Sequence, residues 1–124
     1  MARLTRAVAV AAPLLVASLA LSSCGTGTAV ADARTSCVFV HKALVLQTRS
    51  EATGVSSAEQ ARLQANALSE LLKGTQAAAD ATSADGSWNP LETTINEAER
   101  VPLANLVPAL QRLCRVANST SPYL

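Results

Sequence analysis

The stretch SSAEQARLQANALSELLKG, Ser56–Gly74, is the clearest helical segment of this sequence and indicates an all-α fold. Ser56 or Ser57 can cap its amino end, because Glu59 three residues on completes a capping box. Small and aliphatic side chains repeat at helical spacing and predict a buried stripe of Ala61, Ala65, Leu68 and Leu72, with Leu71 and Ala58 adjoining. Gly74 predicts the end of the helix, and TQAAADATSA after it predicts at most another turn or two.

Upstream of this helix, ADARTSCVFVHKALVLQTRSEA has the same periodicity and predicts a first helix. Asp32 is its candidate N-cap. The predicted inner face consists of Cys37, Val40, Leu44 and Thr48, with His41 and Val45 beside it. The β-branched CVFV could also form a short strand, but an apolar pattern over three turns favours a helix.

Two more helices are predicted downstream. Asn89, Pro90 and Glu92 provide a cap, a proline at the first position and an acid at the third. They predict a third helix from Pro90 to about Arg100, with Leu91, Ile95 and Ala98 facing inward. VPLANLVPALQRLCRVANS predicts a fourth, with a kink or a fresh start at Pro108. The expected fold is a small antiparallel bundle of about four helices over residues 32–118, with a frayed tail at 119–124.

The amino terminus has the organisation of a secretory signal peptide. Arg3 and Arg6 precede fifteen uncharged residues, Ala7 to Leu21, which are too few to span a bilayer. LSSC, ending at Cys24, resembles the bacterial lipobox. In lipobox precursors the thiol receives a diacylglyceryl group and the chain is cut just before the cysteine. The resemblance implies removal of residues 1–23 and a lipidated Cys24; the alternative is an ordinary cleaved secretion signal.

A lipidated Cys24 would hold the protein on the extracytoplasmic face of the cell membrane, since two or more acyl chains anchor a protein stably. GTGTAVA, residues 25–31, is small and glycine-containing, and predicts a flexible tether over residues 24–31. The alanine-rich composition, with arginine exceeding lysine, is similar to that of high-GC actinobacterial lipoproteins. This resemblance suggests the kind of organism and does not indicate a role.

The chain has three cysteines, Cys24, Cys37 and Cys114, and an odd number in an exported protein requires an explanation. If Cys24 carries lipid, Cys37 and Cys114 can pair in an oxidising compartment. Their bridge would place the first and last helices side by side, with the two Cα atoms within about 7 Å. Two cysteines so far apart do not form a structural zinc site, which usually needs four ligands in close pairs.

Charge and aromatic content argue against nucleic-acid binding. Without Arg3 and Arg6, eight of the ten basic residues remain against nine acidic ones. The aromatic residues are Phe39, Trp88 and Tyr123 only. Neither a basic excess nor a set of stacking platforms is present.

Two residues are candidates for an interaction surface. Trp88 precedes the third helix, and we expect it to pack there, with an interface anchor as the alternative. His41, the only histidine, lies one residue off an apolar stripe and is expected at the boundary of the core. No nucleophile motif such as G-x-S-x-G accompanies it, so a hydrolase using His41 is the least favoured function.

The sequence therefore predicts a lipid-anchored, non-enzymatic protein with a binding or scaffolding role, no cofactor, and an envelope protein as its candidate partner. Its oligomeric state is not predicted. The alternative is a carrier of a small apolar ligand such as haem or lipid. The chain resembles small actinobacterial haem-binding exported proteins only in its cysteines near both ends of the mature domain. It lacks their histidine-containing motifs.

Overall fold

The computed structural model describes residues 26–119, which form five α-helices and one short 3₁₀-helix. The elements are α1 (Thr26–Ser50), α2 (Ser57–Leu72), α3 (Thr75–Ala84), the 3₁₀-helix Gly86–Trp88, α4 (Asn89–Glu97) and α5 (Leu103–Ser119). No strand occurs among these residues, and CVFV lies within α1. The prediction of a small all-α bundle closed by one disulfide is confirmed.

The first helix, α1, is the centre of the fold and packs against α2, α3 and α5. Its 25 residues make a rod about 37 Å long. The buried face is built mainly from small side chains: Ala29, Val30, Ala33, Ser36, Cys37, Val40, Ala43, Gln47 and Ser50. Small side chains at a helix contact allow the neighbouring axes to approach closely, so α1 can contact three helices at once.

Helices α1 and α2 form a hairpin. At the end opposite their connecting loop, a hydrogen bond joins Ser36 of α1 to Gly74, which follows α2. The hydroxyl of Ser36 donates a hydrogen bond of 3.0 Å to the carbonyl oxygen of Gly74, and Ser36 is fully buried. A Cβ atom added at Gly74 would lie 3.1 Å from both the carbonyl oxygen and Oγ of Ser36. Gly74 thus follows the end of α2, as predicted, and also permits the close approach of this corner to α1.

The capping of α2 is confirmed but its buried stripe is not. The hydroxyl of Ser56 accepts the backbone N–H of Glu59 at 3.2 Å. The buried residues are Leu63, Ala67 and Leu71, whereas the predicted Ala61 and Ala65 are exposed and Leu68 and Leu72 are half-buried. Both stripes contain two leucines, so leucine content does not distinguish them; the packing of α2 against α1 determines which face is buried.

The tether prediction is wrong for residues 26–31. Helix α1 begins at Thr26, so Asp32 lies inside the helix and is not its N-cap. Ala29 is fully buried and Val30 is 7% exposed. Gly27 lies in the first turn, outside the helix interior where a glycine is costly, and burial of the residues that follow stabilises this turn. Residues 24 and 25, and the tail from 120 onward, lie outside the described residues.

The predicted inner face of α1 is also only partly correct. Cys37 and Val40 are buried, but Thr48 is exposed, and the polar Gln47 and Ser50 are buried in its place. Their polar groups find partners: the Ser50 hydroxyl donates to the Gln47 carbonyl oxygen at 2.6 Å. A prediction from hydropathy leaves polar residues out of a buried face. Gln47 and Ser50 can nevertheless be buried, because buried polar side chains are stable where they are hydrogen-bonded.

The segment after Gly74 forms a helix of its own, α3, rather than an extra turn of α2. Leu91, Ile95 and Ala98 are buried, as predicted for the third helix. Asn89 is the first residue of α4 and not its cap, because a 3₁₀-helix comes directly before it. Asp85 caps that turn: its Oδ1 accepts the N–H of Ser87 at 2.9 Å, and this bond lowers the pKa of the Asp85 carboxyl.

Helix α5 continues through Pro108, so the predicted fresh start is wrong. Proline removes the hydrogen bond to the carbonyl four residues earlier, here that of Ala104. Ala104 is exposed, so water can bind its carbonyl oxygen instead. The exposure of Ala104 therefore reduces the cost of the proline.

The Cys37–Cys114 disulfide joins α1 to α5 and confirms that the first and last helices touch. The sulfur atoms are 2.03 Å apart and the Cα atoms 5.6 Å apart. Nearby, Nε of Arg34 donates to the carbonyl oxygen of Ala117 at 2.9 Å. The core and the disulfide described here lie within residues 26–119, so a chain that begins at residue 24 contains both.

Candidate functional site

The structure brings some of the predicted site residues together and separates others. Cys24 lies outside the described residues. Cys37 and Cys114 meet in the disulfide. His41 is exposed on α1, whereas Trp88 lies in the 3₁₀-helix before α4.

Trp88 is a core residue and does not form an interaction surface. It is only 7% exposed, and its 3₁₀-helix packs against α3 and α4. The expectation that Trp88 packs on the third predicted helix is confirmed, and its assignment to an interaction surface is wrong. A core with so few aromatic residues buries its one large ring.

A groove of about 740 Å³ runs between α1 and α5 beside the disulfide. We call it the basic groove; it is lined by Arg34, Cys37, Val38, Val40, His41, Lys42, Leu44, Val45, Thr48, Arg49, Gln111, Cys114, Arg115 and Asn118. Aliphatic side chains and the two cysteines provide its apolar surface. Most of the groove is contributed by α1, so one helix determines its length and direction.

The charges around the basic groove are of one sign. Arg34, Lys42 and Arg49 come from α1 and Arg115 from α5, and among the described residues no carboxylate lines the groove. These are four of the eight Lys and Arg residues between positions 26 and 119. Arg62 and Lys73, by contrast, pair with acids on α2. A protein with nearly balanced charge therefore has a surface suited to anions.

Cations and valines alternate along the outward side of α1. Arg34, Val38, Lys42, Val45 and Arg49 follow one another at spacings of four, four, three and four residues, which places them in one row. Val38 is 53% exposed and Val45 is 45% exposed. Of the three large hydrophobic residues exposed between positions 26 and 119, two thus line the basic groove, and the third, Val116, does not.

Two cations of the groove have additional contacts within the protein. Arg34 is held by its hydrogen bond to Ala117 on α5. Nζ of Lys42 lies 5.5 Å from the centroid of the Phe39 ring, a cation–π distance. Both contacts fix the direction of a charged side chain at the groove.

His41 lines the basic groove and also a smaller groove of about 360 Å³ with Lys42, Val45, Leu46 and Glu70. No hydrogen bond joins its ring to an acid or a hydroxyl among residues 26–119. The same residues contain no group of three or more His, Cys, Asp or Glu side chains that could hold a metal ion. The chemistry that this site offers is that of cations and aliphatic side chains.

Sequence reasoning missed the basic groove because it considered only total charge and not how the charges are distributed along each helix. The signal is present as R-x₃-V-x₃-K-x₂-V-x₃-R between Arg34 and Arg49. His41 and Val45 were placed beside the predicted inner face, and both line the groove. The error was to treat this flank of α1 as the margin of the core.

Comparison of the chain with protein-family models, with curated proteins and with solved structures finds no match. Within residues 26–119 no helix combines the length and the hydropathy that crossing a membrane requires. The function proposed below therefore depends on the geometry and charge of the basic groove and on the amino-terminal sequence.

Proposed function

We propose that this protein is a lipid-anchored, non-enzymatic binding protein of the cell envelope that holds an amphiphilic anion in the basic groove. The observation that carries the proposal is the composition of the groove lining. Four cationic side chains stand around an apolar surface, with no carboxylate among the described lining residues. An anionic group gains charge-assisted hydrogen bonds there, and an apolar chain gains contact with Val38, Val45 and the disulfide.

The size of the groove supports a ligand of small-molecule dimensions. About 740 Å³ falls within the range of roughly 300–1,000 Å³ that such sites occupy. An acyl chain with a carboxylate or phosphate group combines the two required properties in one molecule. The proposed ligand class is therefore an acyl lipid or a fatty acid.

Haem is the second candidate ligand, because His41 lines the same groove as the arginines. A haem has two carboxylates for the cations and accepts an imidazole as axial ligand. A shifted and sharpened Soret band after haem addition, compared with free haem and lost in His41→Ala, is the result that would favour haem over a lipid.

The proposed location depends on Cys24. The lipobox-like LSSC supports lipid attachment, and a formed Cys37–Cys114 disulfide suits an oxidising compartment. We expect intact-protein mass spectrometry to give a mature chain that begins at Cys24 and carries acyl groups. An unmodified Cys24 thiol in protein isolated from its own envelope would rule out the anchor.

Ligand binding is tested by titrating a fluorescent long-chain fatty acid into the mature chain, residues 24–124, with Cys24→Ser to remove the anchor. We expect Val38→Asp to weaken binding of the probe at least about tenfold, because it places a carboxylate inside the groove, against the acid group and acyl chain of the ligand. Val38 is 53% exposed, so the variant should keep its fold, which circular dichroism checks.

The matched control is Val116→Asp, which makes the same change at a residue that is 51% exposed and lies outside the groove lining. It should leave the affinity for the probe within about twofold. Equal weakening by both variants, or no binding of the probe by the parent protein, would refute a ligand site in the basic groove.

A further inference from the structure

The basic groove and the proposed lipid anchor lie close together along the chain. Only Gly25 separates Cys24 from Thr26, the first residue of α1, and two residues reach about 7 Å at most. Arg34, the first cation of the groove, stands eight residues further on, about 12 Å along the helix. A protein anchored at Cys24 therefore keeps the start of the groove near the bilayer surface.

We infer that α1 lies along the membrane that holds Cys24, with the basic groove against its anionic phospholipid headgroups. This inference depends on the proposed function and identifies the source of its ligand: the bilayer itself. The anchor would then provide one membrane attachment and the groove a second. Because two or more acyl chains already anchor a protein stably, the groove contact would set the orientation of the domain on the bilayer.

The row of cations and valines on α1 has the length and composition for this contact. From Arg34 to Arg49 it extends about 22 Å along the helix, so all its members reach one plane when the helix lies flat. Val38 and Val45 can enter the interface between headgroups. The long side chains of Lys42 and Arg49 can direct their charges to phosphates while their methylene stems stay against apolar surface.

Among the described residues no carboxylate lines the groove that would face the membrane. Asp80 lies on α3, Glu92 and Glu97 lie on α4, and none of them lines the basic groove. Glu70 lies in the smaller groove with His41 and Lys42 and pairs with Lys73. Glu59 interacts electrostatically with Arg49 and pairs with Arg62. An acidic protein would also complement the cations, but the closeness of the groove to Cys24 favours the membrane.

The test is co-sedimentation of the mature Cys24→Ser chain with vesicles, which measures the groove without the anchor. Vesicles of phosphatidylcholine alone are compared with vesicles that also contain phosphatidylglycerol. We expect binding to the anionic vesicles only, and Lys42→Gln/Arg49→Gln should weaken it about 25-fold, since each cation near an anionic surface contributes roughly fivefold. The control Arg100→Gln/Arg112→Gln removes the same charge at exposed sites outside the groove and should change binding less than about threefold.

Each other outcome overturns the inference in an identifiable way. Equal loss in the two double variants would mean that net charge, and not the groove, attracts the protein to vesicles. Binding of the free fatty-acid probe without binding to vesicles would keep the proposed function and exclude the membrane as the source of ligand. Binding of an acidic helical peptide without binding to vesicles would make a protein the occupant. Binding of neither probe nor vesicles would refute both proposals.

Discussion

Loss of the Cys37–Cys114 disulfide is expected to lower the free energy of unfolding by about 4.5 kcal/mol. The bridge closes a loop with a sequence separation of 77 residues, and the chain-entropy relation gives that value for such a loop. Domains of this size are stable by only about 5–15 kcal/mol. The variant Cys37→Ala/Cys114→Ala should therefore be largely unfolded at moderate urea concentrations, at which the parent protein remains folded.

The measurement is urea denaturation at 25 °C of the mature chain, followed by circular dichroism. Cys24→Ser is the matched control, since it removes the third cysteine and leaves the bridge intact. Reduction of the parent protein should reproduce the effect of the double variant. A loss below about 1 kcal/mol would show that packing of α1 on α5, with the Arg34–Ala117 hydrogen bond, holds these helices together without the bridge.

Truncation of Trp88 is expected to cost about 3–5 kcal/mol of stability, which is the usual range for a buried tryptophan replaced by alanine. The ring is 7% exposed and belongs to the hydrophobic core cluster. Its removal leaves a cavity at the junction of α3, the 3₁₀-helix and α4. Trp88→Phe, which keeps a ring in that space, should retain a large part of the lost stability.

Thermal and urea denaturation of Trp88→Ala test this prediction, with Val116→Ala as the control at an exposed position. The control should change stability by less than about 0.5 kcal/mol. Trp88→Ala should keep its affinity for the fatty-acid probe under conditions where it is folded, because Trp88 does not line the basic groove. Loss of affinity at unchanged stability would contradict a purely structural role.

The elements of this fold could be predicted where one signal dominated. Gly74, the serine cap of α2 and the inward face of α4 follow from local chemistry, and the structure has them as expected. The first and last helices could be paired because the odd number of cysteines left only Cys37 and Cys114. These predictions needed no knowledge of how the helices pack.

The faces of α1 and α2 could not be predicted, because alanine is compatible with either environment. Ala61 is exposed and Ala67 is fully buried on the same helix, and only the partner helix distinguishes them. The start of α1 was missed for a related reason: Ala29 and Val30 look like tether residues until the helices that cover them are known. The basic groove depends on the same packing, since α5 supplies its second wall.

The position of α1 at both the start of the chain and the centre of the bundle has a consequence for biosynthesis. Within residues 26–119, every helix that covers α1 is synthesised after it, and the last of them is α5, Leu103–Ser119. Helices α2 and α3 cover most of the buried face of α1 first, and only the side that packs against α5 stays uncovered until the end, because that contact is long-range. We expect a nascent chain that stops before residue 103 to need a chaperone, because its exposed alanine and valine side chains favour aggregation.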